Sequence, residues 1–182
     1  CGIICVSLIL INIIIPITTS NQENNGNLLL QVYNIDEERC NIKIKFPELQ
    51  FSIRHIDSEI YTYLVLPDTG YQYNIGQAKL PILRKMIEIP QNAEPIIKIN
   101  SIQWESLSLS QMNYPEKIYP TQPPQNKGKE YFELYSLDMD FYNTNDFLPK
   151  ELVTIKETGE IRGRRFAILH ISPVQYNPKS GL

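Results

Sequence analysis

Three cysteines, two histidines, three alanines, eight glycines and one tryptophan are all that 182 residues contain of these types, and each shortage closes off a class of protein. Cys1 and Cys5 lie in an apolar leading stretch, so Cys40 stands alone behind it. One thiol makes neither an internal disulfide nor a metal site by itself. A cysteine nucleophile is equally unsupported: Cys40 sits in the polar run Glu37-Glu38-Arg39-Cys40-Asn41, and no spacing joins it to His55 or His170. The glycines are too scattered for a phosphate-cradling loop or a dinucleotide fingerprint, and no serine elbow or metal-ligand cluster is present. No cofactor is expected. Scarce alanine beside 27 isoleucines and 18 leucines disfavours a helical protein. Seventeen basic against 20 acidic side chains give a net charge of −3, without the basic footprint of a nucleic-acid binder.

Charge is also missing locally, since no charged residue precedes Glu23. Ile3 to Ile17 is an apolar run broken only by Ser7, Asn12 and Pro16, and Thr18-Thr19-Ser20 supplies small residues after it. Residues 1–20 are expected to be a secretory signal peptide lacking its basic start, cleaved near Ser20. The run is short for a membrane span, which needs about 20 residues. The mature chain is therefore expected to have no stable span and to be secreted, extracellular or at the cell surface. Residues 21–27, polar and Asn-rich, are expected to form a disordered junction. Residues 28–182 then make one domain, cut at its C-terminal end.

Within that domain apolar and polar residues alternate in Ile42-Lys43-Ile44-Lys45-Phe46, in Leu49-Gln50-Phe51-Ser52-Ile53 and in Leu107-Ser108-Leu109-Ser110. A period of two buries one face of a strand. Ile60 to Leu66, Ile82 to Ile89, Ile96 to Trp104, Tyr131 to Leu137 and Ile161 to Ser172 extend the pattern, bounded by Pro, Gly or Asn. Asp146 to Lys156 offers a helix alternative, opposed by Val153-Thr154-Ile155. Asn177-Pro178-Lys179-Ser180-Gly181 reads as a hairpin connection, with Leu182 opening a returning strand. About nine short strands without helical crossovers predict an all-β fold, an antiparallel β-sandwich or partly closed barrel.

Tyr114 to Lys129 cannot be a strand. Pro115, Pro120, Pro123 and Pro124 give it polyproline character, and the polar Gln125-Asn126-Lys127-Gly128-Lys129 follows. So long a loop in a compact domain marks it as the leading site candidate. Asp138 and Asp140 would share a face if Tyr135 to Phe141 were a strand, as paired carboxylates in hydrolysis or calcium binding do; a solvated strand face is the plainer reading. His55 and His170 read as hydrogen-bonded structural histidines. Trp104 and the 11 tyrosines are spread along the chain, so packing outweighs a sugar-stacking platform.

Several stretches, in order, resemble the N-terminal propeptide of gingipain-type cysteine peptidases. They are Gly76-Gln77-Ala78-Lys79-Leu80-Pro81 with Ile87-Glu88-Ile89-Pro90, the run Tyr119-Pro120-Thr121-Gln122-Pro123-Pro124, Phe141-Tyr142-Asn143 leading to Phe147-Leu148-Pro149-Lys150-Glu151, and Val174-Gln175-Tyr176-Asn177-Pro178. Ala78 departs from the pattern, where the family often carries a second proline. The resemblance implies a β-rich prodomain that packs on a downstream caspase-like cysteine peptidase domain of the same precursor, assists its folding and keeps it latent. The fragment itself would have no catalytic residues, the peptidase's Cys and His lying beyond Leu182. It also implies that a basic side chain of a prodomain loop enters the enzyme's specificity pocket, for which Lys127, Lys129 and Lys117 are the available cations, Lys127 first. The rival reading from another class is a secreted β-sandwich adhesion or carbohydrate-binding module.

Overall fold

The structure, a computed structural model, describes residues 2–14, 23–25, 28–34, 40–56, 58–92, 94–124 and 135–179. Twelve strands and one helical turn run β1 (Gly2–Ile14), β2 (Glu23–Asn25), β3 (Leu28–Asn34), β4 (Cys40–Lys45), β5 (Gln50–Ile56), β6 (Glu59–Val65), β7 (Gly70–Tyr71), β8 (Pro81–Ile89), β9 (Ile96–Ser108), α1 (Met139–Tyr142), β10 (Val153–Ile161), β11 (Arg164–Ile171) and β12 (Val174–Asn177). They form a six-stranded sheet ordered β12-β1-β4-β3-β2 with β9 on the other edge of β1, a four-stranded sheet ordered β10-β11-β8-β7, and the β5-β6 hairpin. Every strand pair is antiparallel among the described residues. Among the described residues no sheet closes on itself, so the open arrangement and not the barrel is the one adopted.

Alternation explains the strands that were legible. In β4 Ile42 and Ile44 are buried while Lys45 points to water. In β11 Ala167, Leu169 and Ile171 enter the core, with Ile168 and His170 half-buried between them. One apolar cluster joins all three sheets, drawing Ile3, Ile42 and Ile44 from the first, Leu64 from the hairpin, and Leu83, Ile89, Leu169 and Ile171 from the second. At about 25 cal/mol per Å² of apolar surface this burial is the main stabilising term.

Gly2–Ile14 is a strand in this structure, and its register runs Gly2 to Cys5 against Asn177 to Val174 and Leu8 to Ile13 against Lys45 to Cys40. Glu23–Asn25 pairs with Leu30 to Leu28. Cys40 pairs with Ile13 and Asn34. Several expectations for individual elements are corrected. Ile96 to Trp104 and Leu107 to Ser110 are not separate strands, because β9 runs unbroken to Ser108 before a tight turn begins at Leu109. Residues 135–138 are not a strand, and residues 131–134 lie outside the described residues. Asp146 to Lys156 holds no helix: Pro149 follows a cis peptide bond and β10 begins at Val153. The Ile161 to Ser172 stretch turns over at Arg162 and Gly163, both with positive φ, so Ile161 closes one strand and Arg164 opens the next. Val174–Asn177 is a fully buried strand. The cleavage site near Ser20 and the returning strand at Leu182 lie outside the described residues.

Candidate functional site

The Pro-rich segment is bolted to the domain along its first half. Tyr114 donates its N–H to Leu109 and stacks its ring on Phe51 at 5.4 Å. Thr62, fully buried on β6, is the main bolt: its N–H reaches the Lys117 carbonyl at 2.9 Å, its own carbonyl accepts from Tyr119 N–H at 2.8 Å, and its hydroxyl donates to the Pro115 carbonyl at 2.6 Å. Prolines leave the segment short of donors, and a strand edge that offers an N–H and a hydroxyl suits that shortage. Further along, Lys79 N–H donates to Tyr119 O, Gly76 N–H to Thr121 O, and Thr121 N–H to Gln77 O, each at 2.8 Å.

Two buried phenols fix the same segment from beneath. The Tyr176 hydroxyl donates to the Glu116 carbonyl at 3.0 Å and accepts from Ile118 N–H at 3.4 Å. Tyr142 Oη donates to the Ile118 carbonyl. Burial pushes both phenols well above the ordinary tyrosine range, so they stay neutral donors.

The second half ends at a clamp. The Gln122 side-chain amide donates to Ser136 O at 3.0 Å and accepts from Ser136 N–H at 3.0 Å, a reciprocal pair between the two limbs. Lys127 and Lys129 fall between these clamped residues, at positions outside the described ones. Lys117 is described. It is exposed on the bolted half and lies 3.4 Å from Glu59, both side chains about half accessible (52% and 56%). Such an ion pair contributes roughly 0–1 kcal/mol and yields readily to another acid.

Of the remaining candidates, Asp138 resolves as a structural group. Asp138 caps α1, its carboxylate accepting from Phe141 N–H at 2.9 Å and from Gln77 Nε2 at 3.0 Å. The Phe141 N–H, followed by Gln77, holds its carboxyl below the usual aspartate range. Asp140 lies in the helix behind this cap, so the two acids do not share a strand face. His55 is exposed on β5; His170 is half-buried on β11, with burial and then Arg84 and Lys156 lowering its pKa. Among the described residues no cluster of His, Cys, Asp and Glu could hold a metal ion. Tyr61, Tyr63, Tyr71 and Tyr119 pack ring against ring, while Trp104 is exposed on β9 (56%). The first four are thus packing groups. Reading the sequence missed a cation site: Lys79 Nζ lies 4.7 Å from the Tyr71 ring and 5.2 Å from Tyr63, and Arg54 sits 5.1 Å over Tyr63. It also missed the Gln122–Ser136 clamp and the Thr62 bolt, which rest on residues far apart in the chain and leave no local signal.

The chain matches the Propeptide_C25 family over residues 20–181. It is 32% identical over 133 residues, 72% of its length, to Lys-gingipain HG66 and to Lys-gingipain W83 of Porphyromonas gingivalis. It spans 8% of the length of these relatives. A structure concerned with the zymogenic latency of gingipain K from Porphyromonas gingivalis superposes with a TM-score of 0.73 at 22% identity, covering 88% of each chain. A complex of the pro- and mature domains of RgpB from the same organism gives 0.71 at 16% identity, covering 87% of this chain and 78% of that one. No helix among the described residues is long and apolar enough to cross a membrane. With the family matched along nearly all of its length and the same all-β fold, this chain belongs to the Propeptide_C25 family, as a gingipain-type propeptide.

Proposed function

We propose that this chain is the prodomain of a secreted gingipain-like cysteine endopeptidase precursor, that residues 1–20 are its signal peptide, and that it assists folding of a downstream caspase-like catalytic domain and keeps it latent. A basic side chain of the Pro-rich loop and the polar run after it enters the specificity pocket, Lys127 first, with Lys129 and Lys117 as the other cations. The observation that carries this reading is the bolting of the Pro-rich segment to Thr62, Tyr142, Tyr176 and Gly76, with the clamp beyond it. A loop presented from so stiff a base loses little entropy on docking, and a cation desolvated against an acid confers specificity. Support also comes from relatives named as Lys-gingipains and from the solved complex of pro- and mature domains.

The test is titration of the prodomain against the catalytic domain of its own precursor. Nanomolar or tighter inhibition is expected, weakened at least 100-fold when Lys117, Lys127 and Lys129 are all alanine, a loss of about 2.7 kcal/mol. Equal inhibition by the triple variant would remove the cation mechanism and leave latency standing. Saturable glycan binding with no inhibition would favour the adhesion module.

A further inference from the structure

Register sets the outer face of the sheet formed by β10, β11 and β8. Three rows cross it: Thr154, His170 and Arg84; then Lys156, Ile168 and Met86; then Gly159, Phe166 and Glu88. The opposite face carries Leu83, Ala167, Leu169 and Ile171 into the core. His170 therefore lies on the central strand, half-buried, directly between a threonine and an arginine, with Lys156 one row along.

The charges around this histidine are of one sign. Arg84 is held in place by its Nη2, which donates to Tyr71 O at 2.9 Å, and Lys156 is exposed on β10. Among the described residues of these strands the acid on the same face is Glu88, two rows from His170 and 3.5 Å from Arg164. Lys85, Glu157 and Glu160 pair with Leu169, Ala167 and Arg165, positions of the other face, and β7 brings only Gly70 and Tyr71. A neutral imidazole is at ease in this row. An imidazolium there meets a like charge directly across the strand pair, where partial burial limits screening by water. Burial first, then Arg84 and Lys156, lower the His170 pKa, in keeping with that placement.

We propose that this row is an acid-sensitive seam in the fold: on acidification His170 takes a proton from solvent, stands as a third cation beside Arg84 and Lys156, and loosens β11 from β8 and β10. The unfolded chain binds that proton more readily than the folded one, so stability is full above the ordinary histidine value of about 6.5 and is lost as pH falls through the lowered one. The seam borders the base of the Pro-rich segment. Ser172 Oγ, two residues beyond His170, accepts from Gln72 Nε2 at 3.2 Å, and the stretch that follows Gln72 carries Gly76, whose N–H holds Thr121 O at 2.8 Å. On the prodomain reading, on which this consequence rests, acid weakens the grip on the catalytic domain.

Urea unfolding of the whole chain at about pH 7.5 and about pH 5 tests this. Between the two, the unfolding constant of the parent is expected to rise roughly 3-fold or more beyond the rise in His170→Gln, which has no imidazole to protonate. Lys156→Gln, an exposed change that keeps the imidazole, should shrink the parent's excess, and it serves where His170→Gln fails to fold. Followed by NMR, the His170 ring should titrate below about 6.5 and move up in Lys156→Gln and in Arg84→Gln. Equal pH dependence in the parent and His170→Gln overturns the proposal, as does a His170 ring that titrates at or above about 6.5. A titration that neither cation variant moves assigns the effect to burial alone and also overturns it. Inhibition of the catalytic domain is read separately: failure of the prodomain reading leaves no inhibition at either pH, with the unfolding difference intact.

Discussion

Replacing Gly76 by alanine, with Gly163→Ala as its control, measures how far the loop's two limbs depend on one junction. Both glycines have similar positive φ, 81° and 75°, so both substitutions carry the same backbone penalty of about 1–2 kcal/mol. Their surroundings differ. A Cβ at Gly163 meets nothing closer than a flexible glutamate oxygen at 4.0 Å, whereas at Gly76 it meets the backbone nitrogen of Asp138 at 2.8 Å and Leu137 C at 3.3 Å. Asp138 must then shift, and its N–H currently donates to Gly76 O at 3.0 Å while its carboxylate caps α1. A weakened hydrogen bond of about 0.5–1.5 kcal/mol and a weakened cap of similar size place Gly76→Ala roughly 1–3 kcal/mol below Gly163→Ala. In urea unfolding, with a slope near 2 kcal/mol per M, the midpoints should separate by about 0.5–1.5 M. The inhibitory potency of Gly76→Ala should fall with it. Midpoints of the two variants within about 0.2 M of each other would refute the junction argument.

Tyr176→Phe removes the hydroxyl that serves Glu116 O and Ile118 N–H, leaving a donor unpaired inside the core, and should cost about 1–3 kcal/mol by denaturant titration. Combined with Tyr142→Phe, whose hydroxyl serves the Ile118 carbonyl, the losses should be non-additive by at least about 0.5 kcal/mol in a double-mutant cycle. Asp138 has a lowered pKa in the folded chain, so its ionised form stabilises the fold above the ordinary aspartate value and this contribution is lost as pH falls through the lowered one. Asp138→Asn should therefore lie below the parent in thermal midpoint at about pH 6 and converge on it as the pH falls below the ordinary aspartate range.

What the sequence made legible was what local pattern can carry. Period-two alternation located β4, β8 and β11 because each has one apolar face on a shared core, and it located β5 although only Phe51 of that strand packs there. Alternation failed at β12, where all four residues are buried and no polar face marks a strand. Gly2–Ile14 is an apolar run without alternation, so the strand paired there on both edges leaves no period-two signal. Met139–Tyr142 was missed because four residues carry no helical period; their signal was the Asp138 cap, which had been weighed as one of a carboxylate pair. In the candidate site the prolines announced a loop. What holds it could not be read from them, because Thr62 is about 55 residues upstream of the carbonyls it serves and Tyr176 about 60 downstream.

The reciprocal pairing of Gln122 with Ser136 divides the segment into a part whose backbone path is set by hydrogen bonds and the span that the clamp encloses. Upstream of the clamp every carbonyl of Glu116 to Ile118 and of Pro120 and Thr121 has an assigned donor, so an insertion or deletion there alters the scaffold. Beyond it, doubling the length of the enclosed span costs only about 0.6 kcal/mol in closure entropy. A propeptide built this way can exchange the tip of its loop for one of different length and charge while the fold stays unaltered.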